Sequence, residues 1–201
     1  MEPRVFGVNA MIADMEPLLH RVMGEGVELA AVQAAGLWAV RLPPGQLEEA
    51  FLALAVDACG AMGGEGTLEV ETANARLDET GARRSPGAIP GDYVRLSLSD
   101  TGRGVGEAVK EVVRGQGTRE GLGLRLAYEV AERAGGRVEI AERPGGGMTV
   151  RLFLPRADAP VAPVEAGDAA GLQTGSETIL IVEDEKSLMS VAHRVLEGCV
   201  V

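Results

Sequence analysis

Three groups of residues in this chain have the types and spacing that chemistry needs. An apolar stretch, 93–99, runs straight into Asp100-Thr101-Gly102-Arg103-Gly104, and Gly121-Leu122-Gly123-Leu124 follows after a glycine-rich connection. A carboxylate at the end of a buried strand, followed by glycines that let backbone come close, suits a flat ring bearing an amine. A second glycine pair opening a helix offers free backbone N–H groups to phosphates. The two together read as a nucleotide site, whereas either alone is a common turn. The third feature is Asp57, a lone carboxylate inside the apolar segment 46–62.

Regular elements must position these groups. Met11, Met15, Leu18, Leu19 and Val22 recur at helical spacing over 9–23, and Gly24 and Gly26 end that helix. Residues 27–32 and 37–40 read as short strands. Pro43-Pro44-Gly45 turns into a long helix over 46–62, apolar on almost every side and so expected to be buried. Alternation predicts a strand over 67–77, then a polar loop over 78–92. A helix over 121–134 closes at Gly135-Gly136, and 137–142 and 148–154 form a hairpin across Arg143-Pro144-Gly145-Gly146-Gly147.

From 156 the composition turns to Ala, Pro, Gly and Asp, the mark of a linker. Beyond it Thr178-Ile179-Leu180-Ile181-Val182 reads as a strand of the buried parallel kind, followed by Glu183-Asp184-Glu185 and a helix over about 186–197. One strand and one helix cannot enclose a core, so this piece reads as a domain cut short.

Bulk composition excludes several classes. A formal charge of −11 with no basic stripe argues against nucleic acid or anionic lipid as partner. No apolar run is long enough to cross a bilayer, since Asp57 interrupts the most apolar one. The N-terminal residues lack the basic start and apolar run of a signal peptide. Cys59 and Cys199 have no metal spacing, which fits a reducing cytoplasm, with Cys59 a small core residue. Aromatics make up only 3% of the chain, so Leu, Val and Ala must build the core.

The order helix with Asp57, strand into Asp100-Thr-Gly-Arg-Gly, loop, Gly121-Leu-Gly-Leu helix, hairpin with Gly145-Gly-Gly-Met-Thr149 resembles the ATP-binding catalytic domain of bacterial sensor histidine kinases. That domain belongs to the wider gyrase, heat-shock chaperone and kinase ATPase superfamily, and the resemblance covers about residues 9–155. The segment Ile179-Leu-Ile-Val-Glu-Asp-Glu resembles the first strand and acidic pair of a response-regulator receiver. The layout, 1–155 catalytic domain, 156–176 linker and 177–201 receiver start, is that of a hybrid histidine kinase. The resemblance implies that Asp100 accepts a hydrogen bond from the adenine amino group and that Gly102 and Gly104 frame the base and lid. It implies that Gly121, Leu122, Gly123 and Leu124 open the helix facing the phosphates. Thr149 would line the adenine pocket, or else be an ordinary strand residue.

The chain also departs from this pattern. The family's helix carries two asparagines one turn apart that face the phosphates and hold magnesium, and here those positions are Ala53 and Asp57. Asp57 can ligate Mg²⁺ through oxygen but repels a triphosphate when the metal is absent. An unpaired carboxylate in so apolar a helix favours the ligand role. Ala53 replaces the glutamate that activates water in the hydrolysing branches, and alanine cannot take a proton. Cys59 and Gly60 stand where a basic residue is usual, no phenylalanine lies between the glycine boxes, and Arg119-Glu120 replace a glycine and a small residue. Arg114 or Arg119 could contact phosphate or be solvated. His20 lies outside the phosphoacceptor context and reads as a helix-surface residue. His193 also lies outside that context. Glu183 and Asp184 match the receiver's magnesium-binding acids, though without the acceptor aspartate.

The expected fold is α+β, a two-layer α/β sandwich of the Bergerat type with a mixed sheet and helices on one face, plus a βα receiver fragment. The expected function is a cytoplasmic ATP-binding module, with ATP and Mg²⁺, serving a histidine on a dimerisation domain outside this chain and a response-regulator receiver. No residue is assigned a catalytic role. The rival is a degenerate pseudokinase that binds nucleotide weakly or serves as a docking module.

Overall fold

The computed structural model describes residues 2–79, 89–104, 106 and 121–158. In chain order these form β1 (Arg4–Gly7), α1 (Val8–Met23), β2 (Val27–Val32), β3 (Ala39–Leu42), α2 (Pro44–Met62), β4 (Gly66–Leu77) and β5 (Gly91–Ser99). Then come α3 (Leu122–Arg133), β6 (Arg137–Glu142) and β7 (Met148–Pro155). Five strands make one mixed sheet in the order β2-β4-β5-β7-β6, with β2 parallel to β4 and the other neighbours antiparallel. β1 and β3 pair with each other in a separate ribbon.

Strand alternation divides the sheet into two faces. Leu68 and Val70, Val94, Leu96 and Leu98, and Val150, Leu152 and Leu154 are all buried. They meet Leu19 of α1, Phe51 and Leu54 of α2, and Leu124 and Val130 of α3 in one core cluster. Each such side chain contributes roughly 1.5–3 kcal/mol by leaving water. The opposite face is polar. Glu71, Ser97, Arg151 and Glu139 lie in one register row across β4, β5, β7 and β6. Helices on one face of a mixed sheet is the expected α+β arrangement.

α2 is the central helix of the layer and contacts both α1 and α3. Leu47, Ala50, Phe51, Leu54, Ala55 and Ala58 of α2 are buried, as its apolar composition requires. Pro44 begins it, where a missing N–H costs nothing, and Gly63 in the left-handed conformation ends it. A buried polar knot ties α1 to the sheet: Thr72 Oγ1 donates to Asn9 Oδ1 (2.8 Å), and Asn9 Nδ2 donates to the Ala34 carbonyl (3.0 Å).

The structure differs from the sequence reading in places. β1 was not foreseen, because four residues give too little alternation to read. β3 covers Ala39–Leu42 rather than 37–40, since pairing with β1 sets its limits. The receiver-like segment, His193 and nearly all the linker lie outside the described residues.

Candidate functional site

The end of β5 carries the first half of the site. Asp100 is only 3% exposed, and its N–H donates to the Met148 carbonyl at 2.9 Å, extending the β5–β7 ladder one residue past the strand. The side chain turns back on the loop it opens: Asp100 Oδ1 accepts the Gly102 N–H at 2.8 Å. A carboxylate has about four lone-pair directions, so this bond leaves capacity for a further donor. The loop lies on the last turn of α2, where the Arg103 N–H donates to the Ala61 carbonyl at 3.3 Å. A Cβ on Gly102 would come within 2.7 Å of that same carbonyl. Thr101 Oγ1 accepts the Thr67 N–H at 3.1 Å and fixes the loop to β4.

The β6–β7 turn closes over the same point. Gly147 has φ +93°, and a Cβ there would stand 2.0 Å from the Asp100 carbonyl, so only glycine lets the hairpin reach it. Arg143 Nη1 donates to that carbonyl at 3.3 Å while its Nη2 lies 2.9 Å from Glu69 Oε2. Gly104 sits beside Gly147, with 3.3 Å between a built Cβ and the Gly147 carbonyl. Arg143 is a supporting residue that the sequence reading missed. Its role follows from hairpin register, which no local motif encodes.

α3 carries the second half. Gly121 precedes it in the left-handed conformation (φ 89°), and no side chain of the first turn caps it. The cap comes instead from α2: Asp57 Oδ2 accepts the Gly123 N–H at 2.8 Å, and the Leu124 N–H bonds to the same side chain. Asp57 is thus not the unpaired carboxylate that the sequence suggested, because its partner lies 66 residues further along the chain. Partial burial pushes its pKa above the ordinary aspartate value, and the two backbone N–H groups oppose that rise. Gly123 enforces the closeness, since its Cβ would lie 2.4 Å from the Leu54 nitrogen. Leu124 is buried in the core, whereas Leu122 is 44% exposed.

The structure therefore brings together Asp100, Gly102 and Gly104 on one side, and Asp57, Gly123 and Leu124 on the other, both groups seated on α2. Thr149 is not among them. It alternates with core-facing Val150 and places its Oγ1 2.9 Å from Ser99 Oγ, on the polar face of the sheet. Met148 shares the core side with Asp100 and packs against the apolar cluster. Arg114, Arg119 and Glu120 lie outside the described residues. Among the described residues no group of three His, Cys, Asp or Glu gathers to hold a metal. Asp57 still offers one carboxylate, and Mg²⁺ commonly takes one or two carboxylates plus the substrate phosphates. The donor set fits that use.

A buried carboxylate at a strand end, glycine backbone laid over it and a helix N-terminus across the same central helix make this α+β sandwich a candidate nucleotide-binding fold. The family described as histidine kinase-, DNA gyrase B-, and HSP90-like ATPase matches residues 44–158, and the chain belongs to it. Within it, the chain is similar to the corresponding part of sensor histidine kinases. Sensor kinase CckA of Brucella abortus (strain 2308) is 32% identical over 98% of this chain and 22% of the relative. Sensor histidine kinase ZraS of Escherichia coli (strain K12) is 27% identical over 58% of this chain and 23% of its own length. The chain thus spans less than a quarter of either relative. Two solved structures share the fold. The catalytic domain of histidine kinase ThkA has a TM-score of 0.59 and 17% identity over 78% of this chain and 97% of its own. Full-length ShkA in complex with AMPPNP has a TM-score of 0.59 and 20% identity over 99% of this chain and 39% of its own.

Proposed function

We propose that this chain is the ATP-binding module of a hybrid sensor histidine kinase in a cytoplasmic phosphorelay. It would present the ATP γ-phosphate to a histidine on a dimerisation domain, with residues 156–176 as linker and 177–201 as the start of a receiver. The observation that carries the reading is Asp100, buried at the strand end with its carboxylate turned onto the Gly102 N–H. Its remaining acceptor capacity suits the adenine amino group, and guanine, which presents an oxygen there, would be rejected. In this reading Gly121 to Leu124 open the helix whose N-terminal amides would face the phosphates. When bound, Mg²⁺ would neutralise phosphate charge, with Asp57 as its protein ligand. The rest of the work is positioning, because phosphoryl transfer asks little covalent chemistry of the protein.

No described helix is long and apolar enough to cross a membrane. One observation supports the pseudokinase alternative: Asp57 already bonds the α3 amides that a phosphate would use. Ala53 offers no base for water, so steady ATP hydrolysis is not expected. Isothermal titration of the full chain with ATP and Mg²⁺ tests the reading. Micromolar binding that Asp100→Asn abolishes supports it. No heat at millimolar ATP rejects it.

A further inference from the structure

We propose that Arg143 is a positioning residue for base recognition: working from the polar face of the sheet, it fixes the Asp100 carbonyl and thereby the setting of the Asp100 carboxylate. The proposal rests on the nucleotide reading above, with Asp100 as the group that meets the base.

Residue pairing in the β5–β7 ladder ends at Ser99 and Thr149, and the Asp100 N–H adds one further bond, to the Met148 carbonyl. The Asp100 carbonyl is reached instead by a side chain, with Arg143 Nη1 donating at 3.3 Å. A carbonyl in so buried a residue needs a donor. Arg143 is itself anchored at both ends. Its N–H donates to the Gly147 carbonyl and its carbonyl accepts the Gly146 N–H, both at 3.1 Å, within the β6–β7 turn. Its Nη2 lies 2.9 Å from Glu69 Oε2, and Glu69 stands opposite Ser99 in the β4–β5 pairing. A guanidinium is a rigid planar fork, so anchoring one nitrogen directs the other.

The carbonyl and the carboxylate belong to one residue. The direction of the carbonyl sets the backbone rotation that leads into Thr101 and Gly102, and the same rotation brings the Gly102 N–H to Asp100 Oδ1 at 2.8 Å. With Oδ1 held there, the remaining acceptor capacity of the carboxylate keeps one direction. Without the Arg143 bond, the peptide after Asp100 is free to turn, and the carboxylate meets a base amine in several settings rather than one. Glu69 alternates with core-facing Leu68 and Val70, so the guanidinium it holds acts through Asp100 and does not touch the nucleotide.

The test is titration of the full chain, in Mg²⁺, with ATP and with purine riboside triphosphate, which lacks the amino group. The ratio of the two affinities reads the contact between Asp100 and the amine. Wild type should favour ATP by on the order of tenfold, and Arg143→Ala should bring the ratio close to one. Arg143→Lys keeps a cationic donor and should recover part of the ratio. Glu69→Gln, on the exposed side of the pair, should shrink it by a smaller factor and carries the comparison if thermal melts show Arg143→Ala to be unfolded. A merely structural role would lower both affinities in parallel. That result, or a ratio that the folded variants leave unmoved, overturns the proposal and leaves the nucleotide reading standing. A wild type that binds both nucleotides equally overturns the proposal together with the base contact, and one that binds neither overturns the whole nucleotide reading.

Discussion

A single thiol shows how strongly position governs chemistry in this chain. Cys59 lies on α2, partly buried against the apolar cluster, and burial pushes its pKa from an ordinary 9.0 up to about 11. The thiolate is the reactive form, so at pH 8 only ~0.1% of Cys59 is ready to react. In a Cys199→Ser background, iodoacetamide labelling of the native protein should be slow at pH 8. It should rise roughly tenfold per pH unit towards the raised pKa, following the thiolate fraction. Unfolding in urea should abolish the difference from a free cysteine. The same shift bears on stability. The folded state favours the neutral thiol, so its contribution is whole below pH 9.0 and is lost as pH rises through about 11. Labelling at pH 8 as fast as that of the unfolded chain would show Cys59 to be open to water. Asp57, two residues earlier, is held differently, because backbone N–H groups stabilise its charge where Cys59 finds mainly apolar neighbours.

Two helix glycines, one packed against a neighbouring helix and one facing open space, make opposite predictions. Gly123 of α3 has no room: an added Cβ would meet the Leu54 nitrogen at 2.4 Å and the Ala53 carbonyl carbon at 2.5 Å. Backbone atoms cannot rotate away, so Gly123→Ala should force α3 off α2 and cost on the order of 1–3 kcal/mol. Gly60 of α2 faces open space, with nothing within 4 Å of a built Cβ. Gly60→Ala should be neutral or stabilise by up to about 1 kcal/mol through helix propensity. Thermal melts of the two variants side by side decide the point, and a drop of similar size in both would refute the packing argument. Gly123→Ala should also weaken ATP binding, because it displaces the helix that carries the phosphate-facing amides.

Gly123 also marks what the sequence made legible. Gly121 and Gly123 stand out in a motif, as do Asp100 and its glycines, because close backbone approach leaves a local signature. Strand and helix order was readable because the apolar periods are clean over 9–23 and 67–77, and because 46–62 is a long, almost wholly apolar run. What the sequence hid is whatever depends on pairing across the fold. The Asp57 cap joins residues 57 and 123, and Arg143 reaches the Asp100 carbonyl only through the β6–β7 turn. The face to which Thr149 points is set by the register of β7 on β5, where an offset of one residue reverses every side chain.

At the scale of the molecule, the separate β1–β3 ribbon is held to the main sheet by the residues that leave β7. Arg156 donates its N–H to the Asp92 carbonyl at 2.9 Å and bridges to Val40, and the Ala157 N–H reaches the Ala39 carbonyl at 2.8 Å. The Arg156 guanidinium stands 4.7 Å from the centre of the Trp38 ring, and its Nη1 lies 3.3 Å from Asp92 Oδ2. Arg76 holds the other side of Asp92 at 2.7 Å, and these two arginines depress the Asp92 pKa, Arg76 most strongly. Such exposed contacts are each screened by water and worth little, but they converge where β3, β5 and the outgoing chain meet. Arg156→Ala should therefore leave the global melting temperature almost unchanged. It should speed hydrogen exchange at Ala157 and across β3, because local opening there no longer breaks the guanidinium contacts. Exchange at Leu96 and Leu98 of β5, deep in the sheet, should not change. Since Asp92 is held below its usual pKa, the tie persists above the ordinary aspartate range and weakens as pH falls below it. Exchange at Ala157 should accordingly show an acid-dependent opening in wild type that Arg156→Ala reduces. Uniform acceleration over the whole sheet in Arg156→Ala would mean that the ribbon and the sandwich unfold as one unit, and the strap would then be no separate joint.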